Sequence, residues 1–200
     1  MFYGPPVDEL SERILDVAME LAERDGYEAV RIRELAEKAG VALGTVYRRF
    51  ASKEDILAGA LERESSRLEE RLRDHLLPGA RAEDRLDIFF TMATTGLVVR
   101  PKLARAMLRT IASGDPELSQ KITRFHGRMT LVIVGVMRGQ LGIIDAAGTP
   151  DETIAHFLQH IWFGGLVGWA GGLHPPEAIH AQMKTAARVL LRGQEALVYP

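Results

Sequence analysis

Six basic side chains crowd residues 31–53: Arg31, Arg33, Lys38, Arg48, Arg49 and Lys53, against only Glu34 and Glu37. The preceding stretch, residues 8–25, carries seven acidic side chains and two basic ones. Charge is therefore segregated into an acidic helix beside a small basic unit, and the chemistry on offer is the local holding of a polyanion. Tyr47, Arg49 and Lys53 can donate to phosphate oxygens, and Arg48 completes the basic run. Arg33 is long enough to pair with a guanine edge through both arms of its guanidinium. Leu43 and Thr45 offer apolar contact to a thymine methyl, and Thr45 adds a hydroxyl. Gly44, lacking a side chain, lets another backbone come near. The plainer alternative is a solvated basic face on two packing helices.

Such a unit needs two short helices held at a fixed angle. Ile32, Leu35, Ala36 and Ala39 form one apolar stripe that ends at Gly40, and residues 43–50 form a third helix with Val46 and Phe50 inward. The link Gly40-Val41-Ala42 has the length of a helix-turn-helix, whose second helix fits a major groove. The first helix precedes them: Leu10, Ile14, Val17, Ala18, Leu21 and Ala22 share a face, and Asp25-Gly26 stops it. Ser52 with Asp55 resembles a capping box for a fourth helix reaching about His75. Leu86, Phe89, Phe90, Ala93 and Leu97 make a fifth, and Arg100-Pro101 breaks to a sixth. Asp115-Pro116 starts a seventh, running to about Arg138. Thr149-Pro150-Asp151-Glu152 starts an eighth, and Pro175-Pro176 a ninth. No segment shows sustained strand alternation. The expected fold is all-α with about nine helices: an N-terminal three-helix helix-turn-helix domain over 1–52 and a C-terminal helical bundle over 53–200.

Other chemistry is sparse. The 200 residues hold no cysteine, which removes disulfides, cysteine-ligated metals and thiol nucleophiles together. With 25 basic and 27 acidic side chains the net charge is −2, so no global field draws in nucleic acid. His156 and His160 stand one helical turn apart without a third ligand at helical spacing, and packing roles are expected of them rather than a metal. His126 could contact a ligand or titrate, and a core or surface position is the expectation. No nucleophile elbow, phosphate-binding glycine loop or dinucleotide fingerprint is present, and no cofactor is expected. The opening Met-Phe-Tyr-Gly-Pro-Pro lacks the pattern of a leader peptide. Residues 153–176 contain no Asp, Glu, Lys or Arg. Their histidines and glycines, with no basic flanks, favour a buried helix over a membrane span.

Residues 9–58 resemble the DNA-binding domain of TetR-family transcriptional regulators. The resemblance lies in Gly26-Tyr27-Glu28-Ala29-Val30, Ile32-Arg33-Glu34-Leu35-Ala36, Ala39-Gly40-Val41, Gly44-Thr45-Val46-Tyr47-Arg48-Arg49-Phe50 and Ser52-Lys53-Glu54. It is contiguous and ungapped, and implies an all-helical homodimer, usually a repressor, that leaves its operator when a small molecule binds the C-terminal domain. By resemblance, Arg33, Leu43, Gly44 and Thr45 face bases, while Tyr47, Arg49 and Lys53 face phosphates. Two positions depart from the family pattern. Arg31 stands where Thr is common, and Ala42 where Ser is common, so the third helix loses a side-chain cap worth about 1 kcal/mol.

The C-terminal part is expected to pair two subunits and to bind the effector. Gly164, Gly168 and Gly172, spaced four apart and flanked by Trp162, Phe163 and Trp169, make a smooth strip for another backbone. By resemblance the interface covers about 151–170 and 176–195, and the candidate interface residues are Gly164, Gly168, Trp169, Gly172, Met183 and Leu190. An alternative is that the glycines only admit a neighbouring helix of the same subunit. Phe89, Phe90, Met92, Met107, Phe125, Met129, Trp162 and Phe163 are candidates to line a pocket for a bulky apolar compound, although such stripes also build plain cores. Arg100-Pro101, Ala106-Met107, His160-Ile161-Trp162 and Gly168-Trp169 are similar to the branch of the family that controls sterol and lipid catabolism. The expectation is a cytoplasmic, dimeric, ligand-responsive repressor of double-stranded DNA operators, not an enzyme. The alternative is a small helical enzyme or lipid-binding protein that does not bind DNA.

Overall fold

The computed structural model describes residues 8–140 and 144–198. The opening hexapeptide judged for a leader lies outside them. Nine α-helices and no strand occur among the described residues: α1 (Glu9–Asp25), α2 (Ile32–Lys38), α3 (Leu43–Tyr47), α4 (Lys53–Asp74), α5 (Ala82–Val98), α6 (Pro101–Ile111), α7 (Ser119–Arg138), α8 (Pro150–Ala170) and α9 (Pro176–Val198). No helix among the described residues is long and apolar enough to cross a membrane.

Two boundaries differ from the expectation. The third helix ends at Tyr47 rather than Phe50. Asp115 opens a 3-10 turn over Pro116–Leu118 instead of an α-helix, its side chain capping that turn by accepting the Glu117 N–H at 2.9 Å. The helix proper starts at Ser119.

The chain forms two compact units. The first takes residues 1–66 and 100–125. Asp8 caps α1 by accepting the Ser11 N–H at 2.8 Å, and Gly26 ends it at φ 85°. The link from α2 to α3 is a Schellman turn: Gly40 at φ 67° lets Val41 N–H reach the Ala36 carbonyl at 2.9 Å. Ile14, Leu15, Ala18 and Leu21 of α1 bury against Leu35, Ala36, Val46 and Phe50, closed by Ile56, Leu57, Leu103 and Met107. That core fixes the angle between the short helices, which have too few residues to hold themselves. Ser52 and Asp55 form the expected reciprocal cap on α4: Ser52 Oγ accepts Asp55 N–H at 3.1 Å and Asp55 accepts Ala51 N–H at 3.0 Å. Arg63 is buried between α4 and α1, 3.0 Å from Glu12 and 2.8 Å from Asp16.

The second unit takes residues 67–99 and 126–200, with α9 packed on both α5 and α8. Its core centres on Phe89, Phe90 and Trp162, whose rings meet edge to face at 5.0 and 5.7 Å. The Trp162 indole N–H is satisfied inside that core by Thr94 Oγ1 at 2.9 Å. Buried Gln159 places its amide nitrogen 2.7 Å from His126 Nδ1, and its amide oxygen 3.0 Å from the Thr130 hydroxyl. Thr149 and Glu152 cap α8 reciprocally, accepting Glu152 N–H at 3.3 Å and Gly148 N–H at 2.7 Å.

Candidate nucleic-acid interface

The sequence-selected residues of the basic stretch occupy one short run of surface. Val46 is fully buried and anchors α3, which leaves Tyr47 54% exposed and turns Gly44 outward. Leu43 and Thr45 are half-buried beside them, and Arg33 is exposed on α2. A Cβ built on Gly44 meets nothing within 4 Å, so the missing side chain answers no need of the protein's own packing. Ala42 makes no side-chain cap and neither does Arg31, in line with the two departures noted in the sequence.

Arg48, Arg49 and Lys53 are each held by a neighbour. Arg48 Nη2 donates to the Thr45 hydroxyl at 2.9 Å, which gathers the two side chains on one turn. Arg49 Nη2 lies 2.9 Å from Asp8 Oδ2, and Lys53 Nζ lies 3.4 Å from Glu28 Oε2. The Arg49 guanidinium, with the Ser11 N–H, holds the Asp8 carboxyl down at about 2. Lys53 and Arg109 keep Glu28 below the usual carboxylate range. Burial, and then the hydrogen bond to the Glu54 carboxylate, pushes the Tyr27 hydroxyl up to about 12. These carboxylate partners were missed by sequence reasoning. Asp8 stands 41 positions from Arg49 and Glu28 stands 25 from Lys53; the only signal was the acidic run beside the basic one.

The eight pocket candidates divide between the two units. Phe89, Phe90, Met129 and Trp162 lie in the core of the second unit, with Phe163 half-buried there. Met92 is 41% exposed. Met107 and Phe125 belong instead to the first unit, packed against its apolar core. Of the interface candidates, Gly164 and Gly172 are exposed and Leu190 is half-buried. Trp169 and Met183 are buried within the subunit. A Cβ on Gly168 would stand 2.6 Å from His174 Nε2 of the same chain, and one on Gly165 would stand 3.4 Å from Ile179 of α9. His156 and His160 are exposed, and no group of three or more His, Asp or Glu that could hold a metal occurs among the described residues.

A family model for bacterial regulatory proteins of the tetR family matches residues 14–60. A second, for the tetracyclin repressor-like C-terminal domain, matches residues 79–190, more than half of the chain. The chain belongs to the TetR family. This TetR-family chain is 32% identical over 162 residues to the HTH-type transcriptional repressor KstR of Rhodococcus jostii, spanning 80% of this chain and 73% of that one. Its fold matches a TetR transcriptional regulator from Rhodococcus with a TM-score of 0.76 at 24% identity, over 91% of this chain and 94% of the other. It also matches Thermus thermophilus FadR, a TetR-family repressor solved with lauroyl-CoA, with a TM-score of 0.70 at 21% identity over 92% and 94%. Membership of the TetR family makes the chain a DNA-binding transcriptional regulator and sets aside the small helical enzyme.

Proposed function

We propose that two copies of this chain grip a pseudo-palindromic operator as a repressor and release it when a hydrophobic small molecule binds. The observation that carries the DNA contacts is the surface run from Leu43 to Lys53. Tyr47 projects, Gly44 opens outward, and Arg48, Arg49 and Lys53 stand beside them, on a helix pair anchored from beneath by Val46 and Leu35. In this reading Arg33, Leu43, Gly44 and Thr45 face base edges, and Tyr47, Arg48, Arg49 and Lys53 hold phosphates. Residues 1–52 serve DNA binding and 53–200 serve effector binding and dimerisation.

Pairing of subunits is supported by α8 and α9. Phe157 and Val167 on α8 and Val189 on α9 are large apolar side chains 45–63% exposed. Gly164 lies on the same exposed face of α8, and no charged residue occurs from 153 to 176. Uncharged, partly aromatic surface of this kind suits the core of an interface. The buried members of the glycine strip, Gly168 with Trp169 and Met183, serve packing inside the subunit. Gly164, Gly172 and Leu190 remain with the outward face.

The effector class follows from the second unit's apolar interior, built on Phe89, Phe90, Met129, Trp162 and Phe163, and from the acyl-CoA held by the Thermus relative. A long-chain acyl thioester or a sterol-derived compound matches that apolar chemistry, and the cytoplasm supplies both effector and operator. Effector binding weakens the DNA complex only by its difference in affinity between the two states. The test is selection of bound duplexes from a random pool, followed by challenge of the complex with acyl-CoAs of graded length. Recovered sites should show two-fold symmetry with half-sites about one helical turn apart. Asymmetric sites, or none, would overturn the reading.

A further inference from the structure

Tyr27 and Glu28 occupy a 3-10 turn (Tyr27–Ala29) between α1 and α2. One Glu28 oxygen lies 2.9 Å from Arg109 Nη1 on α6, and the other lies 3.4 Å from Nζ of Lys53, the first residue of α4. Both cations also lie 3.9 Å from the centroid of the Tyr27 ring. The ring is steadied by its hydroxyl, which donates to Glu54. Lys102 and Arg105 of α6 line the same shallow hollow, together with Asp25, and Lys102 Nζ donates to the Arg24 carbonyl at 2.6 Å.

A single carboxylate thus divides itself between a lysine of the candidate DNA face and an arginine of a different helix. Glu28 is 73% exposed, and an exposed ion pair is worth little, so small movements of either cation redistribute it. A DNA phosphate approaching Lys53 meets an anion already in place. We propose that Glu28 is an internal stand-in for a DNA phosphate at Lys53, and that Arg109 regulates DNA grip by drawing that carboxylate away without touching DNA. Through this contact α6 reaches the operator face by a route of two ion pairs and one ring. The inference rests on the reading of Lys53 as a phosphate contact.

Binding of the full-length protein to a mixed-sequence duplex, titrated across salt concentrations, tests it. Glu28→Gln should tighten binding about two- to fivefold at low salt. It should also steepen the log K against log salt slope by up to ~0.9, since Lys53 then neutralises a phosphate in full. Arg109→Ala should weaken binding about twofold, because Glu28 then leans wholly on Lys53. In the Glu28→Gln background, Arg109→Ala should change nothing. An Arg109→Ala effect that persists in that background would show a direct contact with DNA and overturn the proposal, as would unchanged binding by Glu28→Gln. If Lys53→Ala leaves binding to every duplex unchanged, the interface reading fails and takes the relay with it. If Lys53→Ala weakens binding while Glu28→Gln does nothing, only the relay fails.

Discussion

Arg85 of α5 closes the C-terminal end of α7 by donating from Nε to the Val136 carbonyl at 2.8 Å. Its Nη2 donates to the Met137 carbonyl and its Nη1 to the Gly79 carbonyl at 2.8 Å. The last carbonyls of a helix have no partner of their own, and a guanidinium there both bonds them and answers the helix dipole. Gly139, at φ 67°, lies so near that a Cβ would stand 3.2 Å from the Arg85 guanidinium. Arg85→Met keeps the apolar stem and removes three charge-assisted bonds. Urea unfolding should show a loss of about 1.5–3 kcal/mol, in the range for hydrogen bonds to charged groups.

Gly44→Ala should separate stability from binding. A Cβ there meets nothing within the protein, and alanine is the better helix former by up to about 1 kcal/mol. The melting temperature should hold or rise, while affinity for operator DNA falls because the methyl stands between α3 and the groove. A variant that both melts lower and binds normally would assign Gly44 to folding alone.

Lys53→Ala and Thr45→Ala should differ in kind. Loss of a phosphate contact weakens operator and scrambled duplexes alike and flattens the salt dependence. Loss of Thr45 removes a base-edge group and leaves Arg48 without the hydroxyl it holds at 2.9 Å, so the preference for operator over scrambled DNA should narrow. Gel-shift titrations of both variants on both duplexes give the comparison.

His126 predicts a pH effect on stability. Burial chiefly, and then the neighbouring His160 and His156, hold its imidazole below the ordinary histidine value of 6.5. The unfolded chain therefore takes up a proton that the folded chain refuses. Stability should be full above pH 6.5 and should fall as the pH drops from there towards the lowered folded value. His126→Asn should flatten that slope in urea midpoints measured across the range.

Phe157→Lys and Val189→Lys place charge on exposed apolar positions of α8 and α9. Light scattering should report monomers where the parent is dimeric, with thermal stability of the monomer nearly unchanged, since both side chains are exposed in the single chain. DNA affinity should fall with the dimer, because a single α3 reads too few base pairs. Dimers that persist in both variants would move the interface elsewhere.

The helices were legible because their caps and stripes are local: Ser52 with Asp55 and Thr149 with Glu152 each lie within four residues, the hydroxyl accepting the acidic residue's N–H and the carboxylate accepting the N–H of the residue just before the cap. The short run from Leu43 to Lys53 was legible for the same reason. What the sequence hid is long-range pairing. The Asp8–Arg49 and Glu28–Arg109 contacts join residues dozens of positions apart, and no periodicity marks them. The pocket candidates show what an apolar stripe leaves open. Met107 and Phe125 carry the same apolar signal as Met129 and Phe89, yet pack in a different compact unit, because hydrophobicity tells burial but not which core.

The buried chain of Thr130, Gln159 and His126 has a consequence for how α7 lies on α8. Two helices meshed by leucines and valines alone can slide by one turn and still bury nearly the same oil. Here a one-turn slip would strand an amide in a dry interior, where an unmet polar group costs about 1–3 kcal/mol. The network therefore acts as a vernier: it favours the observed alignment over its neighbours by that margin.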